Sequence, residues 1–238
     1  MQLPVLSGTI DRRMLINFRA DPSVVANLLP PPFTPAIYRG YAMVGICLIR
    51  LKKVRIKGLP EFLGFGSENA AHRIAVNWTV SGAQHSGVYI PRRDTSSIFN
   101  SLAGGRVFPG VHFHSRFATR EEKGIYELDM FNKDGTNISV WAFLSERYNP
   151  DSIFDNLQAV SDFFEQGAVG YSPASAHYDG IKLNLSNWAV KSLSVERVES
   201  TYFSDPLVFP NGSIAFDNAL LMEHIEHEWH AMDNIYRC

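Results

Sequence analysis

The sequence predicts an α+β, β-rich fold occupying residues 1–238 as a single domain. Three observations lead there. Side-chain alternation with a period of two recurs from the first apolar run to the last, whereas helical spacing is clear in only a few segments. No internal repeat, low-complexity tract or linker divides the 238 residues, a length that one β-rich domain commonly fills. Apolar residues make up 45% and charged residues 19%, which allows a sizeable core and excludes a disordered chain.

Taken in order, "RMLINFRA" reads as a strand closed by "DPSVVANLLPPPF". There Asp21 caps a short helix, Pro22 suits its first turn and Pro30 to Pro32 stop it. "YAMVGICLIRL" is apolar on both alternating faces, as in a strand buried on both sides. In "HRIAVNWTV", Ile74, Val76, Trp78 and Val80 share one face. "HSGVYI" leads into "PRRDTSSIFNSLAGG", where Asp94 or Thr95 is placed to cap a helix running through Ile98, Phe99 and Leu102 to Gly104 and Gly105. "VHFHSRFA", "GIYELDMFN" and "ISVWAFLS" are strands, with "KDGT" (133–136) as the hairpin turn between the last two. From Asp151, "DSIFDNLQAVSDFFEQG" shows the best helical spacing and closes on Gly167. "GIKLNLSNWAV", "KSLSVERVESTYF" and "EHIEHEWHAM" complete the strand pattern.

A net charge of -2 and a pI near 6.4 provide no overall attraction to nucleic acid or anionic lipid. The basic run "RLKKVRIK" (50–57) is short and lacks interleaved aromatics; it reads as a solvated strand end or a lysine-protected edge. Cys47 and Cys238 have neither metal spacing nor disulfide density, as expected in a reducing cytoplasm. No stretch approaches the roughly 18 apolar residues of a membrane span, and "MQLPVLSGTIDRR" lacks the core of a signal peptide. The expectation is a cytoplasmic protein with no nucleic-acid or membrane partner, and a homo-oligomer is left open.

The chemistry-bearing residues concentrate in "GGRVFPGVHFHS" (104–115). On a strand, His112, His114 and Arg116 share one face, which supplies proton donors and an anion clamp, or else an ordinary solvated face. Glu68 in "GFGSENAAHR" sits beside small residues where backbone can approach a ligand; it reads as a base or as a structural carboxylate. His224, His227 and His230 in the tail suggest a metal, but their spacing fits neither one strand face nor the i, i+4 pair of zinc helices, so no metal is assigned. A GxSxG elbow, a dinucleotide fingerprint and a Walker lysine are all missing, and no cofactor is expected.

The order of these features resembles the acetoacetate decarboxylase-like superfamily, and within it the uncharacterised YqjF-like branch. The segments that carry the resemblance are "INFRADPSVVANLLPPPF", "GSENAAHRIAVNW", "GVYIPRRDTSSIFNSLAGGRVFPG" and "FDNALLMEHIEHEWH". It implies a cone-shaped β-barrel with a few flanking helices around a small pocket. In the decarboxylases a pocket lysine forms a Schiff base with a keto acid, its pKa depressed by a second lysine. By position that lysine pair falls on Phe113 and His114, or on His112 with a one-residue shift, and no lysine occurs from Val107 to Glu122. Glu68 matches the family's pocket glutamate. Arg12 or Arg13 stands near the family's substrate-binding arginine, and Gly105 and Arg106 keep the Gly-Arg of the loop.

Two functions follow. One is non-covalent acid–base chemistry on a small carbonyl or carboxylate compound. Its candidate catalytic residues are Glu68, His112 and His114, and Arg13, Arg106 and Arg116 are its candidate substrate-binding residues. The other is a non-catalytic small-molecule-binding protein.

Overall fold

A computed structural model describes residues 4–98 and 110–236. The strands are β1 (Leu6–Ala20), β2 (Thr34–Pro35), β3 (Ile37–Tyr38), β4 (Tyr41–Ile56), β5 (Phe65–Val80), β6 (Ala83–Thr95), β7 (His112–His114), β8 (Arg116–Glu122), β9 (Ile125–Phe131), β10 (Asn137–Ser145), β11 (Val169–Pro173), β12 (His177–Leu185), β13 (Lys191–Ser200) and β14 (Ile214–Tyr236). Two α-helices lie among the described residues, α1 (Pro22–Leu28) and α2 (Leu157–Glu165). None of these is long and apolar enough to cross a membrane.

The pairing order β1-β4-β5-β6-β11-β12-β14 returns to β1, because β14 pairs β1 as well as β12. Seven strands therefore form a closed ring of hydrogen-bonded neighbours, antiparallel except where β11 meets β6. From β14 the sheet continues through β13, β10, β9 and β8 as a second layer. That layer explains why "YAMVGICLIRL" is apolar on both faces. Ile46 and Leu48 of β4 join Met14 and Ile16 of β1 in a core shared with Leu128, Met130, Ile138 and Val140 of the second layer. Cys47 points the other way, into a core that includes Leu15, Phe154, Val160 and Phe164. Gly45 is required in this crowded strand, since a Cβ there would lie 2.4 Å from the Ile16 carbonyl oxygen.

The turn "KDGT" joins β9 to β10, with Gly135 at φ 91°. Asp21 caps α1 by accepting from the Ser23 N–H at 2.8 Å. Elsewhere the structure departs from the sequence expectations. α2 begins at Leu157 rather than Asp151, because Asn156 is the cap: its Oδ1 accepts from the Ala159 N–H at 2.9 Å. Ile153 and Phe154 pack from the preceding turn, where the buried Asp217 carboxylate accepts from the Ile153 N–H and the Ser152 hydroxyl. The basic run is the solvated end of β4, as one of its two readings had it, and is no sheet edge, since β4 has partners on both sides; the exposed Lys52 and Lys53 pair with Asp11 and Glu61. Asp94 and Thr95 belong to β6, and the helix expected after them through Phe99 and Leu102 lies outside the described residues. Pro91 is tolerated within β6 at a bulge, where Ile90 and Pro91 stand opposite Arg73 alone.

Candidate active site

The ring encloses a cavity of about 130 Å³, near the size at which an apolar protein cavity accepts a benzene-sized guest. Alternation along the strands builds its wall. Arg13 and Leu15 enter from β1, Cys47, Ile49 and Leu51 from β4, and Asn69, Ala71 and Arg73 from β5. On β6, Val88 and Ile90 face in; past the bulge the phase reverses and Arg93 takes the inward place. Ile181, Leu183 and Trp229 close the far wall, His112 stands on β7, and Phe164 of α2 with the turn after it covers one side.

The cavity holds three guanidinium groups, and each meets neutral partners. Arg13 donates from Nε to Cys47 Sγ at 3.4 Å and from Nη1 to Met222 Sδ at 3.8 Å, and lies over the Trp188 ring. Arg73 donates to Asn17 Oδ1 and stacks on Phe164 at 4.5 Å. Asn17 is tied in turn to Asn218 and, through it, to Asp217, which also pairs with Arg19. Arg93 donates from Nε to Ser172 Oγ at 2.8 Å. Arg73 Nε and Arg93 Nη2 are buried without a hydrogen-bond partner among the described residues. Burial pushes both guanidiniums down to about 10, so they remain cations at neutral pH. Asp94 also borders the cavity, but its carboxylate is fully buried and held by Arg92 through two bonds and by Ser115.

His112 is held near neutral form by burial first and by the Arg93 charge second, which together lower its pKa to about 4. Its Nδ1 lies 3.3 Å from the Gly110 carbonyl oxygen. A carbonyl only accepts, so that nitrogen carries the hydrogen and Nε2 keeps the lone pair. Gly110 itself needs its left-handed φ of 77° and donates its N–H to Asp179 at 2.9 Å.

Residues 8–208 match the family DUF2071, described as "Uncharacterized conserved protein". The chain belongs to the DUF2071 family. A search of curated proteins found no match for this DUF2071 chain. Among solved structures it is similar to an acetoacetate decarboxylase from Legionella pneumophila (TM-score 0.63, 11% identity, 97% of this chain and 88% of that one). It is also similar to MppR, an enduracididine biosynthesis enzyme complexed with pyruvate (0.63, 9%, 99% and 91%). A third is an acetoacetate decarboxylase-like enzyme from Sphingomonas wittichii RW1 (0.59, 10%, 99% and 93%). At these identities the likeness shows the fold, which is acetoacetate decarboxylase-like.

Of the residues singled out in the sequence, the DUF2071 chain brings Arg13 and His112 together at the cavity. Glu68 lies elsewhere. It is one residue out of phase with Asn69 on β5 and faces the second layer, where Arg12 holds its Oε2 at 2.7 Å and Arg50 holds its Oε1. Arg12 also reaches Glu121 of β8 at 2.5 Å, so the four side chains form one ion cluster between the layers. His112, His114 and Arg116 do not stand in a row. The strand breaks at Ser115, whose N–H bonds Thr95 and whose hydroxyl bonds Asp94, and the chain passes from pairing with β6 to pairing with β9. His114 and Arg116 are exposed, and Arg106 lies outside the described residues. In the tail, His224 is exposed and His227 is buried on the opposite face of β14. Among the described residues no three metal-ligating side chains gather.

Sequence reasoning missed Arg73 and Arg93. Arg73 carried a signal, a lone arginine amid alanines in "AAHRIA", inside a strand read as alternating. Arg93 carried none, because the bulge at Pro91 sets its facing.

Proposed function

We propose that this chain acts as one domain, a cone-shaped barrel whose cavity binds a small carboxylate compound and performs non-covalent proton transfer on it. The observation that carries this reading is the convergence of Arg13, Arg73 and Arg93 on the same enclosed space as a neutral imidazole. Guanidiniums hold a carboxylate bidentately and stabilise an enolate, and His112 Nε2 is the proton acceptor. Cavity size fits pyruvate or acetoacetate, and pyruvate is the molecule bound in MppR. A lysine Schiff base is not part of this reading. Among the described residues no lysine lines the cavity, Lys182 on β12 is exposed between Ile181 and Leu183, and residues 99–109 contain none.

The second reading, binding without turnover, is favoured by the carboxylates. Glu68 is held off the cavity by Arg12 and Arg50, and Asp94 is held by Arg92, which leaves His112 as the base. The test is calorimetric titration with pyruvate and acetoacetate, followed by NMR detection of deuterium exchange at their acidic carbons. Binding with exchange that is lost in His112→Ala supports proton transfer, and binding without exchange selects the second reading. If neither acid binds at millimolar concentration, or borohydride traps a lysine adduct, the proposal fails.

A further inference from the structure

We infer that the ligand carries two separated negative charges, as a dicarboxylate does, an inference that rests on the carboxylate-binding reading above and narrows it. Arg13, Arg73 and Arg93 line one cavity, and none has a carboxylate within ion-pair distance among the described residues. The segment 99–109 cannot supply one, because "FNSLAGGRVFP" contains no aspartate or glutamate and adds an arginine.

Nearby acids are already engaged. Asp94 answers Arg92, and Asp217 answers Arg19. Asp179, which is close enough to act on Arg93 through space, bonds His177 at 2.8 Å and the Gly110 N–H. Even if the whole charge of Asp179 is assigned to Arg93, two cations remain. Arg73 is buried and Arg13 and Arg93 are half-buried; a charge withdrawn from water without a counter-charge is costly, and a bound anion supplies one. A monocarboxylate would leave one cation unanswered; a dicarboxylate would leave none.

Placement argues for two separated charges rather than one phosphate. Arg13 stands level with Ile49 of β4 and Asn69 of β5. Arg73 lies four residues further along β5, so the two backbones are about 13 Å apart along the strands and about 10 Å across them. Arg93 is level with Ala71, between these positions. Arg13, Arg73 and Arg93 are thus rooted at three separate points of the cavity wall. They suit carboxylates at two ends of a short carbon chain.

The probes are succinate and malonate against their half-amides, succinamate and malonamate, which keep shape and lose one charge. Inorganic phosphate is a further probe. Calorimetry on the full chain should show each dianion binding at least about ten-fold tighter than its half-amide, equivalent to about 1.4 kcal/mol. Arg73→Met and Arg93→Met should each bring that ratio towards one, so a folding failure in one variant leaves the other to decide. Equal affinity for dianion and half-amide, or a ratio unchanged in both variants, overturns the dianion inference while the carboxylate reading stands. Phosphate binding as tightly as succinate overturns the separation of charges. If pyruvate, succinate and their analogues all fail to bind, both readings fall together.

Discussion

Replacing Arg73 with methionine removes a buried cation that no carboxylate answers, and the sign of the resulting stability change tests the charge count. Burial pushes the guanidinium down from its ordinary value to about 10. At about 1.4 kcal/mol per pKa decade, keeping it charged costs the ligand-free fold about 3 kcal/mol at neutral pH. The folded value lies below the unfolded one. The unfolded chain therefore binds more protons above about pH 10, and the penalty is fully present below it. Against its removal stands Asn17 Oδ1, which loses its donor at about 1–3 kcal/mol. The Phe164 ring keeps a partner in the methionine thioether. The balance runs from neutral to about 2 kcal/mol of added stability, whereas breaking a paired buried charge costs about 3–5 kcal/mol. Urea unfolding followed by tryptophan fluorescence, with and without succinate, measures both sides. Ligand-free Arg73→Met should be at least as stable as wild type, and succinate should stabilise it far less. A ligand-free loss of about 3 kcal/mol or more would mean that the protein itself supplies an anion to Arg73, and the reasoning would be wrong.

Glu68→Gln should destabilise the fold by about 2–4 kcal/mol, since the fully buried Arg12 loses a charged partner, yet leave succinate affinity unchanged; a lost affinity in urea-stable protein would return Glu68 to the site. His72, His112 and His227 are each held neutral by burial, with pKa values lowered from 6.5 to about 4. The stability they contribute is present above pH 6.5 and is lost as pH falls towards 4, because the unfolded chain takes up protons first. His72→Phe should remove about a third of that histidine-dependent loss, read from chemical denaturation across this range; an unchanged pH slope would refute it. Gly110→Ala forces a side chain to within 2.5 Å of Ser172 Cβ at a positive φ, displacing the residues that hold Arg93 and His112. It should cost about 1–3 kcal/mol and weaken succinate binding in calorimetry; intact affinity would show that this corner does not position the site.

The strands, α1 and the hairpin at 133–136 were legible because each is specified locally. Asp21 with Pro22, the apolar alternation and Gly135 act within a few residues of chain. The shift of α2 was not, because the competition between Asp151 and Asn156 is decided by Asp217, which occupies the backbone of 153 from a distant strand. For the site, legibility ended where register begins. Glu68 and Asn69 are adjacent in sequence and both polar, and only the partner layer decides which of them meets the cavity. Glu68 faces out because Arg12, Arg50 and Glu121 form a polar seam there. In the same way His112 and His114, related by a period of two, part company when the chain changes sheet neighbours at Ser115.

The missing amine and the three arginines have a common physical reading. Where a lysine serves as nucleophile, neighbouring positive charge is what keeps it a free amine. Here the positive charge is present and no amine shares it, so the field acts on whatever occupies the cavity. A field of this sign stabilises a bound carboxylate, and it stabilises still more the additional negative charge that forms when a carbon beside a carbonyl gives up its proton. In the proton-transfer reading His112 starts as the free base, because burial first and this field second oppose its protonation and keep the imidazole neutral at neutral pH. In the proton-transfer reading, the negative charge of an enolate would sit among the guanidiniums and offset the cost of the imidazolium. In that reading binding and proton transfer draw on one arrangement of charge, and weakening Arg93 should lower ligand affinity while raising the pKa of His112.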